Sequence, residues 1–298
     1  MKTRSFLSSM SFVFFLFLII AIAAVLALGP IVVHADEIDT EHLFVFAIGT
    51  DIGEVGEREF ESETNSRFGK RTGSYTALSQ GLEAEFTPIE NFRLSIGGSL
   101  AYHNIAGVNG FRNRRQGSFE GVFLDMRYRF LDREHSVFGL TVAAEPEWGR
   151  IDETSGERAD RYGLELAVAV DKELVPDHTV VAVNLLYGFE GARSRTTGGW
   201  SRESTLGVAA ALMMQVHPRV FVGTEARYLR AYDGLGLNAF AGYAVFLGPS
   251  VFAKLPGSWW MAAAWSAQVA GRAAGDPASL DLTNFERHQV TFKFGFTY

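Results

Sequence analysis

The chain has no cysteine, so neither a disulfide framework nor a thiolate metal site can hold it together. Charge is scarce, at 20% of residues, while aromatics reach 13%. A chain this poor in charge and this rich in rings has enough apolar surface to fold, which excludes a disordered segment. Lys and Arg number 27 against 34 Asp and Glu, a formal charge of −7, and no basic stripe is clustered. That balance argues against a nucleic-acid partner. Beyond residue 33 no apolar run is long enough for a transmembrane helix. The seven histidines are scattered without the spacing of a metal site, and no cofactor is implied. Gly234, Gly236 and Ala239 fit a loose dinucleotide pattern, but no strand–helix unit surrounds them.

What is present begins with a secretion signal. Residues 1–10 carry Lys2 and Arg4 and no acid, residues 11–33 are almost wholly apolar, and Val33-His34-Ala35 offers small residues for cleavage before Asp36. Gly29-Pro30 would break an uncleaved membrane helix. The expected organisation is a signal peptide over 1–35 and one domain over 36–298. The first 35 residues hold two bases and no acid, so the remainder carries −9.

From about residue 42 onward the sequence alternates with period two. Val122, Leu124, Met126, Tyr128 and Phe130 share one parity, and Asp125, Arg127 and Arg129 the other. A strand sends successive side chains to opposite faces, so this segment has one apolar and one charged face. A helix would mix the two sets. The same pattern recurs in about twelve segments: 42–51, 74–87, 91–105, 117–131, 136–149, 160–173, 178–191, 203–216, 219–231, 236–248, 258–271 and 285–298. Each is about long enough to cross a bilayer at a tilt.

The connections alternate as well. Short turns stand at Pro88-Ile89-Glu90, Asp132-Arg133-Glu134, Pro176-Asp177 and His217-Pro218, and longer polar loops at 52–73, 106–116, 150–159 and 192–202. Outer-membrane barrels have short periplasmic turns and long extracellular loops. Two connections depart from that rule. The one at 232–235 reads as a tight hairpin around Asp233-Gly234, and 249–257 is long where it should be short. A soluble β-sandwich also alternates. The secretion signal, the loop asymmetry and the aromatics that end the apolar rows (Phe86, Tyr102, Phe130, Trp148, Tyr162, Tyr187, Tyr228, Trp259) decide for the membrane. The expected fold is all-β: an antiparallel transmembrane β-barrel of about 12 strands, with 10–14 admissible, in the outer membrane of a Gram-negative bacterium.

Phe292, Phe294, Phe296 and Tyr298 alternate to an aromatic C-terminus. This resembles the assembly signal of outer-membrane proteins, and implies recognition by the barrel-assembly machinery. Phe246-Leu247-Gly248-Pro249-Ser250, Ser258-Trp259-Trp260 and Gln268-Val269 resemble the closing hairpins of the MetA-pathway phenol-degradation group, akin to hydrophobic-compound transporters of the long-chain fatty-acid type. That resemblance implies uptake of small apolar or aromatic molecules. The mature N-terminus shows no long plug segment before the first expected strand.

If the apolar parity faces lipid, the other lines the interior. The expected pore-lining residues are Arg93, Asp125, Arg127, Arg129, Glu145, Glu147, Glu165, Glu225, Arg227 and Lys293. Glu83 and Glu85 lie on the strand before Arg93, and Arg127 and Arg129 beside Glu145 and Glu147, so neighbouring strands are expected to pair opposite charges. Two readings stay open. The charges line a water-filled pore and bias solutes, as rings of charge do in channels, or they interlock as a packed polar core in a structural or surface-interaction barrel. An enzyme of outer-membrane lipids is the third class. His288 and Glu286 are expected to face outward near the rim, but no outward serine accompanies them, so the chain reads as no enzyme. Arg112, Arg114 and Arg115 cluster in an expected extracellular loop, where they read first as a solvated loop and otherwise as a contact for lipopolysaccharide phosphates. The expected partners are outer-membrane lipid, lipopolysaccharide and a small solute. Cysteine substitution tests the parity: a water-soluble thiol reagent is expected to reach a cysteine at Arg127 and not one at Tyr128, and the reverse result inverts the assignment.

Overall fold

The structure, a computed structural model, describes residues 38–298. The signal expected over 1–35 lies outside the described residues. Twelve antiparallel strands follow in order: β1 (Arg58–Phe68), β2 (Ser74–Ile89), β3 (Phe92–Ala106), β4 (Arg114–Leu131), β5 (Gly139–Ile151), β6 (Arg158–Val175), β7 (Thr179–Ser194), β8 (Trp200–His217), β9 (Val220–Asp233), β10 (Phe240–Lys254), β11 (Trp259–Ala273) and β12 (His288–Thr297). Each pairs with its sequence neighbours, and β1 pairs with β12 in register (Phe60 opposite Phe296, Thr64 opposite Phe292), closing the barrel. Closure leaves no strand edge unpaired, as lipid requires of a β structure.

The side-chain parity is the expected one. Val122, Tyr128 and Phe130 are exposed on the outer wall, and Asp125 on the same strand is buried inside. Exposed apolar residues on an outer wall, with charges within, place lipid outside. Trp259 stacks on Phe294 (4.9 Å) and meets Phe296 at a tilt (4.4 Å), fixing the aromatic end of β12 against β11.

The count of twelve agrees with the sequence reading, but its first member does not. Residues 42–51 form no strand. The first strand is β1, inside the segment expected as an extracellular loop over 52–73. Its outward row is Phe60, Ser62, Thr64, Ser66 and Phe68, too polar to show an apolar parity. The 42–51 run, by contrast, buries three consecutive residues, Leu43, Phe44 and Val45. Among the described residues, no strand of the barrel pairs with it. The long connection expected at 249–257 is also corrected: β10 continues through Pro249 to Lys254. Pro249 supplies no amide, and the ladder with β11 skips from Leu247–Ala267 to Ser250–Ala264. The hairpin expected at 232–235 is a loop over 234–239, opened by Gly234 at φ +87°.

Residues 38–57 instead fold into the barrel from the short-turn end. Ile38, Leu43, Phe44, Val45 and Ala47 pack against inward residues of five strands, among them Val180, Ala182, Ala209, Ala211, Met213, Phe221, Phe252, Trp260, Ala262 and Ala264. The small alanines leave room for a second layer of backbone inside the wall. We term residues 38–57 the plug, and the expectation that no such segment precedes the first strand is overturned. Leu43 is fully buried. Leu43→Ala is expected to cost about 2–5 kcal/mol of plug seating. A urea titration followed by tryptophan fluorescence should show an earlier plug transition, with the β circular dichroism of the barrel unchanged.

Candidate functional site

The plug is a stretch of irregular backbone inside a protein, so its amide and carbonyl groups need partners from the wall. Glu225 on β9 supplies the most concentrated set. Its carboxylate accepts hydrogen bonds from three successive amides, Val45 (2.9 Å), Phe46 (2.7 Å) and Ala47 (2.9 Å). Successive amides turned to one point make an anion nest; here the nest belongs to the plug and the anion to the wall. Asn184 on β7 acts like a peptide unit, accepting from the Ile48 amide at 2.7 Å and donating to the Ile48 carbonyl at 3.0 Å. Asp171 on β6 accepts from the Thr50 amide (2.8 Å), the Thr50 hydroxyl (2.6 Å) and the Thr40 hydroxyl (2.6 Å). Arg133, in the β4–β5 turn, pairs with Asp171 (3.0 Å) and Asp51 (2.9 Å). Arg227 lays its guanidinium 3.8 Å above the Phe46 ring.

A second contact joins the plug to β1–β3. Arg93 pairs with Glu41 at 2.9 Å and Glu85 at 2.6 Å. His42 lies 3.1 Å from Glu59 and stacks on Trp260 with centroids 4.2 Å apart. Burial pushes the Glu41 carboxyl up to about 7, and His42 and Arg93 pull it back only in part. Burial would lower the His42 imidazole, but neighbouring Glu59 and Glu41 outweigh it and raise it to about 9.

The plug fills the β7–β11 side of the lumen. Across from it, on the β1–β6 side, lies a cavity of about 350 Å³. Asp125, Arg127, Glu145, Glu147, Glu165 and Lys293 line it. Arg129 sits instead at the short-turn mouth, beside a cavity of about 620 Å³. Arg93, Glu225 and Arg227 face the lumen but are engaged by the plug.

The lining has an acid excess. Nine carboxylates face four cations in the central cavity: Glu61, Glu63, Glu83, Glu120, Asp125, Glu145, Glu147, Glu153 and Glu165 against Arg67, Arg127, Arg161 and Lys293. The expected opposite-sign pairing across strands holds only in places. Glu61 stands opposite Glu83, Glu145 opposite Glu165, Glu190 opposite Glu203, and Arg93 opposite Arg127. Opposite charges on neighbouring strands do meet as Arg93 with Glu85 (2.6 Å), Arg161 with Glu147 (2.7 Å) and Lys293 with Glu61 (3.2 Å) and the directly opposed Glu63 (3.1 Å), while Arg127 pairs along its own strand with Asp125 (3.1 Å).

At the opposite end two loops turn inward. Glu153 pairs with Arg161 at 2.5 Å, and its carbonyl meets Arg67 (2.9 Å) and His103 (2.8 Å). Phe285 packs on Phe246, and Glu286 pairs with Lys70 at 3.5 Å. Glu286 is therefore buried within the barrel and does not join His288 on the outer face, so the outward pair expected for lipid chemistry is not assembled.

Sequence reasoning missed Glu41, His42, Arg133, Asn184 and the first half of the plug. The signal that could have revealed it lies on β8 and β11. There Ala209, Ala211, Ala262 and Ala264 occupy inward positions that would be polar in a water-filled lumen.

The model of a family of unknown function, DUF6662, matches residues 36–298. No curated protein matches. Among solved structures, the COG4313 outer membrane channel from Pseudomonas putida F1 is similar at 9% identity, with 84% of this chain and 98% of that chain covered and a TM-score of 0.58. The translocator domain of autotransporter NalP from Neisseria meningitidis follows at 12% identity, 84% and 90% coverage and a TM-score of 0.47. The P. putida toluene transporter TodX stands at 10% identity, 81% and 88% coverage and a TM-score of 0.36. Together with the closed twelve-stranded wall, the first of these gives the chain the fold of an outer-membrane barrel.

Glu225→Gln keeps the shape of the nest anchor and removes its charge. A hydrogen bond to a charged group contributes about 1.5–3 kcal/mol. The amides of Val45, Phe46 and Ala47 are therefore expected to exchange hydrogen at least about tenfold faster in the variant. Unchanged exchange would mean that the carboxylate does not hold them.

Proposed function

The chain belongs to the DUF6662 family, and on that premise we propose that it is an outer-membrane channel for small solutes, closed at rest by its own N-terminal plug. One observation carries this reading: the polar cavity runs beside the plug, so the plug's departure would join it to the space the plug now fills. A barrel meant only as a wall would fill its interior with interlocked side chains. Here a separable segment of main chain does the filling, held by hydrogen bonds and small-residue packing.

The solute class follows from the lining. Nine carboxylates around four cations set a negative potential, which favours cationic over anionic solutes. A second reading, apolar or aromatic solutes, is supported by the plug-facing wall itself. Met213, Phe221, Phe252 and Trp260 would form an apolar track once uncovered. Both readings make the barrel a conduit and leave it without a catalytic role. Lipopolysaccharide fits the exposed Arg112 at the loop end, and the alternating Phe292, Phe294, Phe296 and Tyr298 fit recognition by the assembly machinery.

Planar-bilayer recording of the refolded chain 36–298 tests the reading. The intact protein is expected to be mostly silent. Removal of residues 38–53 is expected to give persistent steps, with potassium preferred over chloride. Silence from the folded, shortened barrel would move the protein to the structural class.

A further inference from the structure

We propose that His42, Glu59, Glu61 and Glu85 form a binding site for a divalent first-row transition metal ion, of the zinc type, that pins the plug to the barrel wall. The plug provides the imidazole, β1 provides Glu59 and Glu61, and β2 provides Glu85. One ligand atom from each lies within 4.8 Å of all the others. Zinc holds nitrogen and oxygen ligands at about 2.0–2.2 Å, hence about 3.4 Å apart in a tetrahedron. The group closes on an ion by modest inward rotation of its glutamates. One imidazole with three carboxylates suits zinc or manganese and disfavours calcium, which takes oxygen ligands alone.

The unfilled hydrogen-bonding capacity of two buried atoms points to a ligand at this place. His42 Nε2 and Glu85 Oε1 are buried and make no hydrogen bond, although the His42 side chain is only 9% exposed and Glu85 is 4% exposed. The 3.1 Å approach of His42 Nε2 to Glu59 Oε1 is off hydrogen-bonding geometry and matches two ligands sharing an ion. His42 Nε2 meets Glu59 (3.1 Å) and Glu41 (3.8 Å) only as ion pairs, and a metal ion would supply the directed bond that both buried atoms lack.

The surroundings are arranged as an outer shell. Trp260 Nε1 donates to Glu59 Oε1 at 2.9 Å, and Thr297 Oγ1 donates to Glu59 Oε2 at 3.1 Å. Trp260 also stacks on the His42 ring, 11° from parallel, and so fixes its plane. Arg93 holds Glu85 through its other oxygen at 2.6 Å. Groups of this kind orient metal ligands. Four carboxyl groups, Glu41, Glu59, Glu61 and Glu85, converge here on Arg93 and His42, with Lys293 reaching Glu61 from the side. Buried carboxylates in excess need a cation.

The site does not depend on whether the barrel conducts, so its test reads metal rather than current. The purified mature chain is loaded with Zn2+, dialysed against metal-free buffer and measured for bound zinc and for melting temperature. The expected result is one zinc per chain, a raised melting temperature reversed by chelator, and at least about tenfold weaker binding in both His42→Ala and Glu85→Gln. Glu85→Gln preserves the side-chain shape and serves if His42→Ala fails to fold. Three results would overturn the proposal: no retained zinc, equal retention by a folded variant, or a melting temperature that responds to pH but to neither zinc nor chelator. The last would mean that a proton on His42 closes the cluster alone.

Discussion

The closed state depends on a buried carboxylate receiving three consecutive main-chain amides. Glu225 is 2% exposed, and without those amides it would be an unpaired charge in a protein interior. The dependence is mutual, because Val45, Phe46 and Ala47 would otherwise be buried donors without acceptors. Asn184 and Asp171 repeat the arrangement at Ile48 and Thr50, so the wall offers a line of acceptors that matches the plug residue by residue. Apolar packing of Leu43 and Phe44 against alanines then supplies area, and the polar line supplies register.

This division of labour splits the lumen in two. One side carries small and apolar side chains with a few fixed acceptors among them, and receives backbone. The other is wide and acidic, with Glu145 opposite Glu165 and Glu61 opposite Glu83. Like charges across a ladder are unfavourable by a few tenths of a kcal/mol or more per pair. A sequence that tolerates them gives this side of the lumen an excess of acidic groups. A wall serving stability alone would place an opposite charge at such positions, as Arg161 does for Glu147 and Glu190.

Eleven of the twelve strands were legible from alternation because lipid and lumen impose opposite polarity on adjacent residues. β1 was hidden because Ser62, Thr64 and Ser66 take outward positions where apolar residues usually announce a strand. The plug was mistaken for that missing strand because Leu43 to Ile48 is apolar and short, a composition that a buried loop and a strand share. The direction of the charged side chains was readable from parity. Which of them would meet water and which would meet the plug was not, since Glu225 and Glu165 look alike along a strand and differ only in what lies across the lumen. His42 carried no local metal signature, because its prospective partners come from β1 and β2 and become neighbours only when the plug turns inward.

The seating of the plug is tested most directly by comparing two single cysteines in the folded barrel. One replaces Ala47 within the plug, which is 3% exposed; the other replaces Glu63, whose side chain is 37% exposed on the open side of the lumen. A membrane-impermeant thiol reagent should modify the cysteine at Glu63 and leave the one at Ala47 unmodified until the protein is unfolded. Equal rates at the two positions would contradict a lumen closed by residues 38–57.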